Sequence, residues 1–163
     1  MRTNGVKAKV AAGETAIGLT MTYPSFQAME IVAQQGFELI FLECEHGAFS
    51  ARDVEDSCIL ANALGMTVFA RVPNIQASTI LGFLDRGVQG FTGPHIRTRE
   101  DAENLVAACR FAPRGKRSFY YSRPTNSELP ADVTDYMARS NEEIWASRRA
   151  PVSTSGPRSP QSI

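Results

Sequence analysis

The sequence predicts an α/β fold of repeated βα units around a parallel sheet. Short runs of strand length alternate with longer segments of helical period. The run Leu39–Leu42 is apolar on both faces, as expected of a strand covered by helices. The unit recurs four times at intervals of roughly 21 to 29 residues, the size of a βα module. With 163 residues and 43% hydrophobic content, the chain has apolar surface enough for one well-buried domain.

The elements follow in order. The segment AIGLT (16–20) reads as the first strand. The helix that follows, PSFQAMEIVAQQG, carries Phe26, Met29, Val32 and Ala33 on one face and ends at Gly36. LIFL (39–42) is the second strand. The next helix opens at Ser50, whose spacing to Asp53 fits a capping box, and runs through Val54, Cys58, Ala61 and Leu64 to Gly65. MTVFARV (66–72) is the third strand and NIQASTILGFLDRG (74–87) the third helix. A short strand around VQGFTGP precedes a fourth helix, opened by Thr98 with Asp101 three residues on.

Parallel strands leave a doubly wound open sheet or a (β/α)8 barrel. The first strand-to-helix turn, GLTMTYPSF, lacks G-x-G-x-x-G, which argues against a dinucleotide-binding domain. Glu43, Glu45 and His46 follow strand two, Arg71 ends strand three, and Pro94 with His95 follow strand four. All therefore stand at the C-terminal ends of strands, where barrel enzymes keep their active sites.

Seventeen basic residues balance seventeen acidic ones, so no net field draws the chain to nucleic acid or to an anionic membrane. No apolar run is long enough to span a bilayer, and the N-terminal stretch MRTNGVKAKVAAGE is too polar for a secretory signal. Cys44, Cys58 and Cys109 are odd in number, with no metal-ligand spacing, and read as reduced thiols of a cytoplasmic protein.

Each polar residue at the strand ends has a structural reading beside a chemical one. Glu43 and Glu45 could be solvated residues at a strand end. Glu43, however, alternates with Leu39 and Phe41 and so shares their face, where a carboxylate needs a partner. Arg71 suits a structural ion pair as well as an anion clamp. His46 lies in a strand-to-helix loop, where a histidine is more often a solvated or hydrogen-bonded residue than a base. His95 reads as structural, fixing its loop. The cysteines read as small core residues. ECEH by itself makes a poor metal site, because strand neighbours point to opposite faces.

The motifs GFELIFLECEHGAFS, ARVPN, LDRGVQGFTGPHIRTREDAE and CRFAPRGKRS, taken together and in order, resemble the HpcH/HpaI aldolase/citrate lyase family, specifically its 2-oxo-acid aldolase branch. The resemblance runs from about Asn4 to about Trp145. It implies a (β/α)8 TIM barrel of which the chain holds about the first four to five βα units. It also implies lyase activity: cleavage of 4-hydroxy-2-oxo acids to pyruvate and an aldehyde, with a divalent metal such as magnesium, manganese or cobalt. The family's catalytic histidine falls on His46 and its pyruvate-contacting arginine on Arg71. The carboxylate that orients the histidine, usually an aspartate, falls on Glu43. Intact members are homo-oligomers, and the implied partner is a small, pyruvate-type 2-oxo acid. The citrate lyase side of the family, which handles acyl-CoA substrates, is less well matched by E-H-G and R-V-P.

These residue types suit retro-aldol chemistry. A neutral histidine can take the proton of the 4-hydroxyl, and a fixed cation can meet the charge that develops on the enolate oxygen. The family's metal ligands, a glutamate ending the fifth strand and an aspartate ending the sixth, have no counterpart in the sequence. Residues 1–145 read as the first part of the barrel. Residues 146–163, rich in Ser, Pro and Arg, read as an irregular, basic, disordered tail, expected to arise from a reading-frame change or a truncation. Strands cut from a barrel leave open edges, so the chain is expected to associate or aggregate. The alternative to a metal-dependent aldolase is a non-catalytic half-barrel fragment lacking the metal site.

Overall fold

The computed structural model describes residues 2–122, Pro124 and residues 130–148. Five parallel strands, β1 (Gly18–Met21), β2 (Leu39–Glu43), β3 (Thr67–Arg71), β4 (Gly90–Gly93) and β5 (Trp145–Arg148), pair in sequence order. The helices are α1 (Gly5–Ala11), α2 (Phe26–Gln34), α3 (Ala51–Ala63), α4 (Ala77–Arg86), α5 (Arg99–Cys109) and α6 (Val133–Glu143). The four expected βα units are all present, with β1 and β5 at the two ends of the sheet.

Helix starts follow from local chemistry. Ser50 and Asp53 make both halves of a capping box at α3, and Thr98 and Asp101 do the same at α5. Ser25 caps α2 by accepting from the backbone N–H of Ala28. Gly87 ends α4 in the left-handed conformation at φ 108°, which a residue without Cβ adopts without strain.

Strand parity divides the side chains between two layers. Ile40, Leu42, Val68, Ala70 and Phe91 pack on Met29, Val54, Cys58, Ala61, Ile80, Leu84, Leu105 and Cys109 of the helices. Fully burying a side chain of this size contributes about 1.5–3 kcal/mol, so this layer dominates the stability of the fold. The opposite face carries residues in register across the sheet. Thr20, Phe41, Phe69, Gly90 and Trp145 form one row; Glu43, Arg71, Thr92 and Ser147 form the next, at the C-terminal ends. Gly90 is required in the first row, because a Cβ there would lie 2.3 Å from the Phe69 ring.

Three elements were not expected from the sequence. Helix α1 lies at the opposite end of the strands: Asn4 caps it and donates from Nδ2 to the carbonyls of Gln89 and Glu143, just ahead of β4 and β5. Helix α6 also lies between β4 and β5, and its Asn141 side chain both accepts from the Phe111 N–H and donates to the Phe111 carbonyl. Strand β5 takes in Ala146, Ser147 and Arg148, the first three residues of the segment read as an irregular tail. Their polarity hides the strand, which is held by pairing with β4 and by a 3.1 Å contact between the hydroxyls of Thr92 and Ser147. The rest of that segment lies outside the described residues. Among the described residues no helix is long and apolar enough to cross a membrane.

Candidate active site

Arg71 and Glu43 are direct partners in the β2–β3 register, so their side chains rise from neighbouring strands on the same face. The Arg71 Nε donates to Glu43 Oε1 at 2.9 Å and stands 2.7 Å from Oε2. The second carboxylate comes from Glu45, whose Oε2 is 3.0 Å from the same Nε. All three side chains are close to buried: 9% exposed for Arg71, 12% for Glu43 and 11% for Glu45. Two carboxylates around one guanidinium give each buried charge an opposite partner.

Glu43 also shapes the loop beyond β2. Its Oε1 accepts the backbone N–H groups of Glu45 and His46, at 3.1 and 3.2 Å. Gly47 then lets the chain pass between strand ends, since a Cβ there would meet the Glu43 carbonyl oxygen at 2.1 Å and that of Thr22 at 2.6 Å. The next residue, Ala48, donates its N–H to Thr22. The glycine of E-H-G is thus a packing requirement of the loop that carries the histidine.

His46 projects from this loop with 73% of its side chain exposed, and its Nε2 lies 3.6 Å from Glu45 Oε1. The carboxylate beside the imidazole is therefore Glu45, whereas Glu43, expected to orient it, holds the loop backbone and Arg71. The reason is the turn: Glu43 folds back onto the N–H groups of the two residues that follow it, which carries the imidazole away from its own carboxylate. His95, read as structural, enters the same cluster. Its Nε2 is 3.0 Å from Glu45 Oε1, and its backbone sits at φ 51°, a left-handed conformation uncommon outside glycine. The sequence placed Glu45 just beyond the strand end, but its approach to Arg71 depends on the turn over residues 44–46. The sequence placed His95 at a strand's C-terminal end, but nothing local signalled its contact with Glu45, because the β2 and β4 loops meet only across the intervening strand β3.

The Arg71 terminal nitrogens donate to no described residue, so the end of the guanidinium fork can donate to an anionic or carbonyl oxygen. Cys44 points the other way, against the core; burial, helped by the neighbouring Glu43 charge, pushes its thiol up to about 12. It stays protonated and is no nucleophile near neutral pH. Among the described residues no group of three or more His, Cys, Asp and Glu side chains could hold a metal ion. The two carboxylates nearest the strand ends already face a guanidinium cation.

Residues 19–146 match the family described as HpcH/HpaI aldolase/citrate lyase. A hydroxypyruvate/pyruvate aldolase of Roseobacter denitrificans is 31% identical over 119 residues, 73% of this chain and 46% of that protein. A 4-hydroxy-4-methyl-2-oxoglutarate aldolase of Chaetomium globosum is 33% identical over 124 residues, 74% of this chain and 46% of its own length. The crystal structure of an HpcH/HpaI aldolase from Desulfitobacterium hafniense superimposes with a TM-score of 0.80 at 24% identity, covering 88% of this chain and 55% of that one, a likeness of fold. The chain spans about half the length of these relatives. With the parallel sheet in barrel order, and a match that runs from β1 into β5, the chain belongs to the HpcH/HpaI aldolase/citrate lyase family.

Proposed function

We propose that this chain carries the pyruvate-handling part of a 2-oxo-acid aldolase site that cleaves 4-hydroxy-2-oxo acids to pyruvate and an aldehyde. The observation that carries this reading is Arg71, buried at the strand ends between Glu43 and Glu45, with the His46 imidazole beside Glu45. Both acidic partners engage the Nε, and the terminal nitrogens, with no hydrogen bond to a described residue, suit the keto and carboxylate oxygens of a pyruvate unit. In the reading, neutral His46 takes the 4-hydroxyl proton as that oxygen becomes the aldehyde carbonyl. The C3–C4 bond breaks, its electron pair passes into the enolate of pyruvate, and Arg71 stabilises the charge on the enolate oxygen. Reprotonation at C3 releases pyruvate. Glu43 serves by fixing the loop and the guanidinium.

Dependence on a divalent metal belongs to the same proposal on the strength of the family resemblance. The described residues do not fit a metal: no three or more of their His, Cys, Asp and Glu side chains are grouped to hold one. For the same reason, and because the chain spans about half of its relatives, a non-catalytic role is the second reading. Exchange of pyruvate methyl protons in D2O, followed by NMR with Mg²⁺ or Mn²⁺ present, separates the two. Exchange that is lost in His46→Ala and Arg71→Ala supports the aldolase reading, and absence of exchange in the parent chain favours the non-catalytic one. Exchange unchanged in both variants would sink the assigned roles.

A further inference from the structure

We propose that His95 is a positioning residue of this site: it holds Glu45 onto Arg71 and off His46, leaving the His46 ring open to a substrate hydroxyl. The inference rests on the reading of His46 as the base, and it gives a role in the site to a residue whose sequence reading was only that it fixes its own loop.

The geometry around Glu45 is the basis. One carboxylate oxygen, Oε1, lies between two imidazoles, 3.0 Å from His95 Nε2 and 3.6 Å from His46 Nε2. The other oxygen, Oε2, is 3.0 Å from Arg71 Nε. A carboxylate only 11% exposed takes the polar partners within reach, because burying it without them is costly. Those partners come from β3 and from the loop after β4, and they pull the group away from its sequence neighbour. The His46 side chain accordingly makes no hydrogen bond to any described residue. Without His95, Oε1 would keep one near donor, the His46 ring, and would draw it out of the orientation needed for proton abstraction. The direction of His95 is set by its own backbone: at φ 51° the chain turns sharply after Pro94 and sends the imidazole towards β2.

The alternative is that His95 only stabilises its own loop, and the two can be told apart without turnover. The chain has two histidines, so histidine-selective ¹⁵N labelling of the full chain reports both rings separately. His95→Leu and His95→Gln place the same backbone burden on the left-handed position, while only Gln can return an N–H to Glu45 Oε1. The expected result is a shift of the His46 ring nitrogens in His95→Leu and a return towards the parent values in His95→Gln. In a Glu45→Gln background, His95→Leu should leave His46 unmoved. His46 resonances that are the same in the parent and in His95→Leu overturn the proposal, as does a shift that persists without the Glu45 carboxylate. Because these spectra require no catalysis, a chain that fails to exchange pyruvate protons refutes the aldolase reading separately from the positioning role.

Discussion

Glu43 and Arg71 are paired in register on adjacent strands, and one carboxylate oxygen of Glu43 serves the Arg71 Nε together with the backbone N–H groups of Glu45 and His46. The ion pair and the histidine loop are thus joined at a single atom. Removing that acceptor leaves a buried guanidinium with Glu45 alone and two loop N–H groups without their partner. Breaking one side of a buried pair costs about 3–5 kcal/mol, and the remaining carboxylate reduces the loss, so Glu43→Ala should destabilise the chain by about 2–3 kcal/mol. Urea unfolding measures this, and a change below about 0.5 kcal/mol would show that the pair is solvated.

Gly90 stands in the sheet between Phe69 and Trp145, whose rings are 6.0 Å apart. A methyl group at this position must displace the Phe69 ring, and overpacking of this kind costs about 1–3 kcal/mol. Trp145 is the sole tryptophan, so Gly90→Ala should both lower the unfolding midpoint and change the native emission spectrum. A destabilised variant with the parent spectrum would separate Gly90 from the Phe69–Trp145 contact.

Hydrogen bonds in the two capping boxes, led by the Ser50 hydroxyl at Asp53 and the Thr98 backbone N–H at Asp101, hold both carboxyls below the usual carboxylate range. A group that titrates lower in the folded than in the unfolded chain adds stability above its unfolded value of about 4 and loses it as pH falls through the folded value. The Asp53→Asn, Asp101→Asn double variant should therefore trail the parent in urea midpoint at neutral pH, with the gap closing below about pH 4. An equal gap at pH 3 and pH 7 would remove the caps as its cause.

Cys44 and Cys109 are both pushed up to about 12, chiefly by burial. The thiolate is the reactive form, so at pH 8 alkylation of these two residues in the native chain should run roughly a thousandfold slower than in urea, where thiols titrate near 8.5. Mass spectrometry of the alkylated peptides resolves each site. Rapid native labelling of Cys109 would mean that α5 opens readily from the sheet.

The sequence by itself determined the local features whose causes lie within a few residues: the alternation of strands and helices, the capping boxes at Ser50 and Thr98, and the face that Glu43 shares with Phe41. It also placed His46 and Arg71 at the mouth, since a strand end carries its side chains wherever the strand goes. Only the tertiary structure decided which of these groups meet. Strand register set Arg71 opposite Glu43, a backbone turn swung His46 from Glu43 to Glu45, and the loop after β4 brought His95 to Glu45 from 50 positions away in the chain. Strand β5 was hidden for a related reason, because its four residues owe their conformation to β4 rather than to their own composition. Contacts between distant segments depend on register and loop direction, quantities that the packing of the whole sheet fixes and that no local pattern encodes.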